Sequence, residues 1–204
     1  MYRAAICIFW TVWTVSTTAL SAELNDQVDA TFSRYRNDSP GCAVGVSKNG
    51  RVLIAKGYGL ANLEYGVPIT KDTPFYIAST SKQFTASAVG LLAIEDQLSL
   101  SDSVRKYVPE LPTYANDMTI DHLVHHTDGL RDYFTLLYFA GRGYQDELRT
   151  EEVFDLISRQ SRTNFPPGTQ FLYANSGYAM LRRVVETVAK APLDEFTQKR
   201  IFEP

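Results

Sequence analysis

Strand and helix signals are interleaved along this chain of 204 residues, and their mixture predicts an α/β (α+β) protein. Two β-rich runs, Ala43-Val44-Gly45-Val46-Ser47-Lys48 and Arg51-Val52-Leu53-Ile54-Ala55-Lys56, flank Asn49-Gly50, the favoured dipeptide of a two-residue hairpin turn. Apolar residues recur at near-helical spacing before the hairpin, at Leu24, Val28, Phe32 and Tyr35, and after it, at Phe84, Ala88, Leu91 and Leu92. A further helical stripe, Tyr178, Leu181, Val184, Val185 and Val188, lies near the end, with Arg182, Arg183 and Glu186 on its watery side.

Composition narrows the functional classes. At 45% hydrophobic and 21% charged the chain has the means to build a core, and its formal net charge is only −3. Acidic and basic residues are interspersed, so there is no basic stripe to track a phosphate backbone and no acidic tail. Residues 1–22 read as a secretory signal peptide: Arg3, an apolar run from Ile6 to Val15, then small residues through Ala19-Leu20-Ser21-Ala22. The alternative, an uncleaved anchor, is disfavoured because the run is short and interrupted by Thr11, Thr14 and Ser16. Export to the periplasm or medium is therefore expected. Cys7 falls in this leader, which leaves Cys42 alone in the mature chain, without an internal disulfide and with a packing role.

Turn chemistry sets the boundaries between elements. The first helix is expected to end by Asp38-Ser39-Pro40-Gly41, and Gly57, Gly59, Gly66 and Pro68 read as a loop after the hairpin. From Thr119 to about Ser161 the apolar spacing, as at Val153, Leu156 and Ile157, is helical and no strand pattern is clear. Phe165-Pro166-Pro167-Gly168-Thr169 is a hard stop, followed by Phe171-Leu172-Tyr173-Ala174-Asn175. No internal repeat or low-complexity tract is present.

The residues with most chemical content are Ser79-Thr80-Ser81-Lys82, where a buried-looking segment beginning at Phe75 turns into a helix. At helical spacing i and i+3 share a face, so the Lys82 amine can reach the Ser79 hydroxyl. Serine is a weak nucleophile until such a neighbour activates it. The place is also apt, because free N–H groups at a helix start favour developing negative charge. The same spacing occurs at Ser103-Val104-Arg105-Lys106, but within a polar stretch leading to Pro109 and Pro112 that reads as an exposed turn and short helix.

His122 and His126, four residues apart, could ligate a metal from one helix face, yet the glutamate a zinc protease needs is replaced by Leu123. A Ser-His-Asp triad through His126 and Asp128 lacks the Gly-x-Ser-x-Gly elbow around Ser79. A structural role is the better reading of both histidines, with His126 ordering the loop at Asp128-Gly129.

Taken in order, the Asn49-Gly50 hairpin, Ser79-x-x-Lys82, Leu98-Ser99-Leu100-Ser101-Asp102, Thr119-Ile120-Asp121-His122-Leu123, His126-Thr127-Asp128-Gly129-Leu130, Pro167-Gly168 and Tyr173-Ala174-Asn175 form a specific series. It resembles the serine β-lactamase and penicillin-binding protein superfamily, closest to its class C β-lactamase, D-alanyl-D-alanine peptidase and esterase branch. The resemblance implies an antiparallel sheet flanked by helices, with an all-helical subdomain inserted between the nucleophile helix and Tyr173. It also implies Ser79 as acylated nucleophile, Lys82 as its partner, Tyr173 as base or proton relay, and Asn175 as a donor positioning the substrate amide. Tyr35-Arg36-Asn37 and Tyr114-Ala115-Asn116 repeat the Tyr-x-Asn triplet, and only context selects Tyr173. Whether Lys82 works as a neutral amine or as a cation that lowers the Tyr173 phenol stays open, since either leaves a group ready to take the serine proton.

The domain reading is a leader at 1–22, the first part of the sheet domain with the nucleophile helix at 23–100, a helical subdomain at 101–165, and the Tyr-x-Asn segment with its helix at 166–204. By the resemblance a third motif, Lys-Thr-Gly or His-x-Gly on a late edge strand supplying the second oxyanion donor, is due well beyond the helical region, and no residue up to Pro204 supplies it. The expectation is thus a truncated or partial protein, lacking the last strands of its sheet, weakly stable and nearly inactive in isolation. Two functions remain: a serine acyl hydrolase acting on a D-Ala-D-Ala peptide, a β-lactam or an ester, and a non-catalytic relative that binds cell-wall peptides or partners without turnover. Neither needs a metal, a cofactor or nucleic acid. The sequence does not reveal the oligomeric state.

Overall fold

The computed structural model describes residues 17–143 and 146–203. They form two compact units, the first ending at Tyr76 and the second starting at Ile77. Most of the expected leader lies outside the described residues, and positions 17–22 belong to the first helix.

In the first unit, helix α1 (Thr17–Phe32) is followed by β1 (Cys42–Lys48) and β2 (Arg51–Tyr58), an antiparallel pair. The turn between the strands is the one its residues favour, with φ of 52° at Asn49 and 72° at Gly50. One irregularity was not foreseen. Val46 pairs with Ile54 but Ser47 pairs with Val52, so Leu53 is an extra residue and the hairpin carries a bulge. α1 is tied to β2 by Asp29, which accepts hydrogen bonds from Lys56 Nζ at 3.0 Å and Tyr58 OH at 2.6 Å. Phe32 stacks on Tyr58 with ring centroids 5.2 Å apart. Burial and the neighbouring Asp29 push the Tyr58 phenol up to about 12.

The segment read as a loop after β2 instead holds two short antiparallel strands, β3 (Leu60–Asn62) and β4 (Val67–Pro68). Its glycines act as spacers as well as breakers: a Cβ on Gly57 would lie 2.0 Å from the Ile69 carbonyl oxygen, so only glycine permits that approach.

The second unit is helical. A 3₁₀ turn at Ala78–Ser81 runs into α2 (Lys82–Ile94), followed by α3 (Ile120–Val124), α4 (Tyr133–Phe139), α5 (Thr150–Ser158), α6 (Asn175–Ala189) and α7 (Leu193–Thr197). The helical spacing from Thr119 to Ser161 thus becomes α3, α4 and α5. Ala88, Val89 and Leu92 of α2 and Met180, Leu181, Val184 and Val185 of α6 are buried in one core, where the two helices pack together. Ile120 and Leu123 of α3 join it, as do Leu98, Val104, Val108, Leu111 and Met118 from the irregular chain between α2 and α3. This packing fixes the start of α6 beside the start of α2, and the candidate site is built there. Among the described residues no helix is long and apolar enough to cross a membrane.

Candidate active site

Ser79 and Lys82 do not share a regular α-helix, as their spacing suggested. Ser79 occupies the 3₁₀ turn and Lys82 is the first residue of α2. Nor is the approach buried: Tyr76 is 94% exposed and Ser79 is open to solvent. The tighter turn still brings the pair together, with Lys82 Nζ 3.1 Å from Ser79 Oγ. Ala78, just before the serine, has φ of 47°, a left-handed conformation that costs a non-glycine residue about 1–2 kcal/mol. Such strain is often found next to reacting groups.

Tyr173 and Asn175 come from the far end of the chain. Tyr173 OH donates to Ser79 Oγ at 2.7 Å, across 94 positions of sequence. Lys82 Nζ donates to Asn175 Oδ1 at 2.8 Å and sits 4.9 Å from the centre of the Tyr173 ring. All four site residues read from the sequence therefore meet at one place. Burial would raise the Tyr173 phenol, but the Lys82 ammonium and the Ser79 hydroxyl, both able to donate to a phenolate, outweigh it and bring the phenol below its ordinary value.

Cavities of about 300 Å³ and 470 Å³ flank the cluster. Lys82, Asn175 and Tyr178 border the first, with Val153 and Phe154 of α5; Tyr173 and Asp132 border the second, with Leu136, Phe139 and Leu172.

The repeated motifs are structural. Ser103 caps a short 3₁₀ turn by accepting from Arg105 N, while Lys106 turns to Asp102 Oδ2 at 2.8 Å. Lys106, with Tyr107 and the Ser99 N–H, lowers the Asp102 carboxyl to about 2. Tyr114 donates to the Ile157 carbonyl, and Asn116 accepts from Arg105. Tyr35 takes a hydrogen bond from its neighbour Arg34.

The two histidines also have structural partners. His122 closes a capping box with Thr119, its Nδ1 accepting from Thr119 N at 3.2 Å. His126 Nδ1 accepts from Ala174 N at 3.3 Å, and its ring lies 4.4 Å from that of Tyr173. Burial first, then the Lys82 charge, lower the His126 pKa and so favour the uncharged ring, which braces the Tyr173 segment. Among the described residues no group of three or more metal-ligating side chains gathers.

One residue escaped the sequence reading. Asp132, half-buried before α4, accepts through Oδ2 from Asn175 N at 2.5 Å and from Asn175 Nδ2 at 2.8 Å. An aspartate before the apolar run Tyr133-Phe134 signals a helix cap, and Oδ1 does cap α4, accepting from Phe134 N and Thr135 N. Its second contact joins residues 43 positions apart, which no local pattern could disclose.

This mixed fold, with its serine, lysine and tyrosine cluster, is that of the serine β-lactamase and penicillin-binding protein superfamily. The match to the Beta-lactamase family runs over residues 28–204, and the chain belongs to that family. It is similar to the D-aminopeptidase of Gluconobacter oxydans (strain 621H), 31% identical over 186 residues that cover 91% of this chain and 34% of the relative. A D-aminopeptidase of Brucella anthropi (strain ATCC 49188) is 32% identical over 165 residues, or 81% of this chain and 31% of the relative. Among solved structures, the octameric penicillin-binding protein homologue from Pyrococcus abyssi superposes with a TM-score of 0.71 at 28% identity, covering 93% of this chain and 43% of that one. EstCE1, a hydrolase with promiscuous acyltransferase activity, gives 0.70 at 25% identity, with coverage of 91% and 51%. The chain thus spans about a third of the length of the curated relatives it matches.

Proposed function

We propose that this chain carries the acylating centre of a serine hydrolase, with Ser79 forming an acyl-enzyme on an amide or ester. The observation that supports it most is that Ser79 Oγ lies within hydrogen-bond reach of both Lys82 Nζ, at 3.1 Å, and Tyr173 OH, at 2.7 Å. A hydroxyl held between a cation and a phenol of lowered pKa can lose its proton as it attacks. In this reading Ser79 Oγ bonds to the carbonyl carbon while its proton passes to the phenolate form of Tyr173, which the lowered pKa makes more accessible. The oxyanion faces the Ser79 backbone N–H. Collapse expels the amine or alcohol, which takes the proton back from Tyr173, and water then cleaves the ester on Ser79.

In the same reading Asn175, whose oxygen accepts from Lys82, also positions the substrate amide. Amides of D-amino acids are the first substrates to try, because relatives carry the name D-aminopeptidase; β-lactams and simple esters share the same acyl chemistry. Export through the leader at 1–22 fits substrates in the cell wall.

Labelling tests the reading. The folded chain is incubated with a fluorescent penicillin, with p-nitrophenyl butyrate and with D-alanine p-nitroanilide, and adducts are mapped by mass spectrometry. An adduct on Ser79 that disappears in Ser79→Ala is expected. No adduct from any of the three, or one elsewhere, would overturn the assignment and favour a protein that binds without turnover.

A further inference from the structure

We infer that Asp132 is a positioning residue for this centre: its carboxylate sets the amide of Asn175 in the one orientation that holds Lys82 against Ser79. The inference rests on the proposed role of Ser79, and its consequences can be measured separately from that role.

A carboxylate only accepts hydrogen bonds. Each Asp132 oxygen has two donors: Phe134 N at 3.1 Å and Thr135 N at 3.2 Å on Oδ1, Asn175 N at 2.5 Å and Asn175 Nδ2 at 2.8 Å on Oδ2. One side chain therefore caps α4 with one oxygen and grips the first residue of α6 with the other. Ser176 reinforces the junction, donating to the Arg131 carbonyl at 2.6 Å and accepting from Tyr133 N at 3.0 Å.

The consequence falls on Asn175. Its side-chain amide has one donating and one accepting end, and the donating end must face Asp132, since an oxygen there would oppose the carboxylate. The accepting end, Oδ1, is thereby turned to Lys82 Nζ at 2.8 Å. This follows from the chemistry of the carboxylate and does not depend on telling nitrogen from oxygen in the amide. A flipped amide would set NH₂ against the ammonium and oxygen against the carboxylate, two repulsive contacts at once. Lys82 is consequently held between Asn175 Oδ1 and Ser79 Oγ. Asparagine could not replace Asp132, because its own NH₂ would face one of the two donor pairs.

Asp132→Ser separates the two duties. Serine is a good helix cap and should keep α4 in place, but it lacks a second oxygen to hold Asn175. Three measurements on the chain are needed: thermal unfolding, the single-turnover rate of fluorescent-penicillin acylation against pH, and the ¹⁵N-detected side-chain amide signals of Asn175. Asp132→Ser is expected to unfold within a few degrees of the parent, to acylate about tenfold or more slowly because Lys82 is misplaced, and to shift the pH profile. Its Asn175 amide protons are expected to lose the separate, slowly exchanging signals of a fixed amide. In an Asn175→Ala background the same substitution should slow acylation no further, since its route of action is already gone. Additive losses in the double variant, or unchanged Asn175 amide signals in Asp132→Ser, would overturn the inference. The amide signals decide it even if the parent fails to label, an outcome that would count against the reading of Ser79 instead.

Discussion

The phenol of Tyr173 occupies the most sensitive position at the level of single residues. Its pKa is the outcome of opposed influences, with burial raising it and Lys82 and Ser79 lowering it by a larger amount. A lowered phenol pKa means more phenolate at a given pH, so a reaction that uses phenolate as base must speed up as pH rises, with its inflection below the ordinary tyrosine value of about 10. Acylation rates measured from pH 6 to 10.5 are expected to follow that curve and to be nearly lost in Tyr173→Phe. A rate independent of pH across the range, or an inflection above that of free tyrosine, would remove Tyr173 from the role of base.

Helix α6 shows how an element is specified and where it is strained. Its buried residues, Met180, Leu181, Val184 and Val185, repeat at three- and four-residue intervals and pack on α2, while Arg182 and Glu186 pair at 2.8 Å on the outer side. At its C-terminus Lys190 adopts φ 53° and ψ 34°, the left-handed cap that glycine normally fills. Lys190 is exposed, so its side chain can be removed at little expense in packing. Lys190→Gly is therefore expected to stabilise the protein by about 0.5–1 kcal/mol, the left-handed strain relieved exceeding the extra backbone entropy of glycine. Urea denaturation would detect it as a higher midpoint at unchanged slope; a lower midpoint would show that the cap is not strained.

On the scale of the whole molecule, the response of stability to pH should centre on Asp128. This carboxyl is 1% exposed, and Oδ2 has no hydrogen-bond partner among the described residues. Leu130 N supports only Oδ1, at 2.7 Å. A Cβ on Gly177 would stand 2.9 Å from Oδ2, so α6 closes over the group. Burial raises its pKa to about 6. A folded pKa above the unfolded one means that the native state binds the extra proton, so this group's contribution is full below about pH 4 and is lost as pH rises through 6. The loss is on the order of 3 kcal/mol. Asp128→Asn, which keeps the bond from Leu130 and cannot ionise, is expected to exceed the parent's Tm by clearly more at pH 7.5 than near pH 4.5. Equal gaps at both pH values would show that Asp128 does not titrate in this range.

Much of this protein follows from local rules. The Asn49-Gly50 turn, the α6 stripe and the closeness of Ser79 to Lys82 each depend on a few neighbouring residues and on fixed backbone periods, so they can be read along the chain. The bulge at Leu53 and the β3–β4 pair could not, because they reflect how one strand meets another. The same division runs through the candidate site. Sequence alone offers two Ser-x-x-Lys spacings and three Tyr-x-Asn triplets that differ only in context, and it marks Asp132 as no more than a helix cap. Packing of α2 on α6 chose among them: it carried Tyr173 across 94 positions to Ser79 and brought Asn175 into the grip of Asp132, while Lys106 simply turns to its near neighbour Asp102. Hydrogen bonds act over about 3 Å whatever the separation along the chain, so the candidate residues could be named from sequence, but only burial of the shared core determined which of them meet.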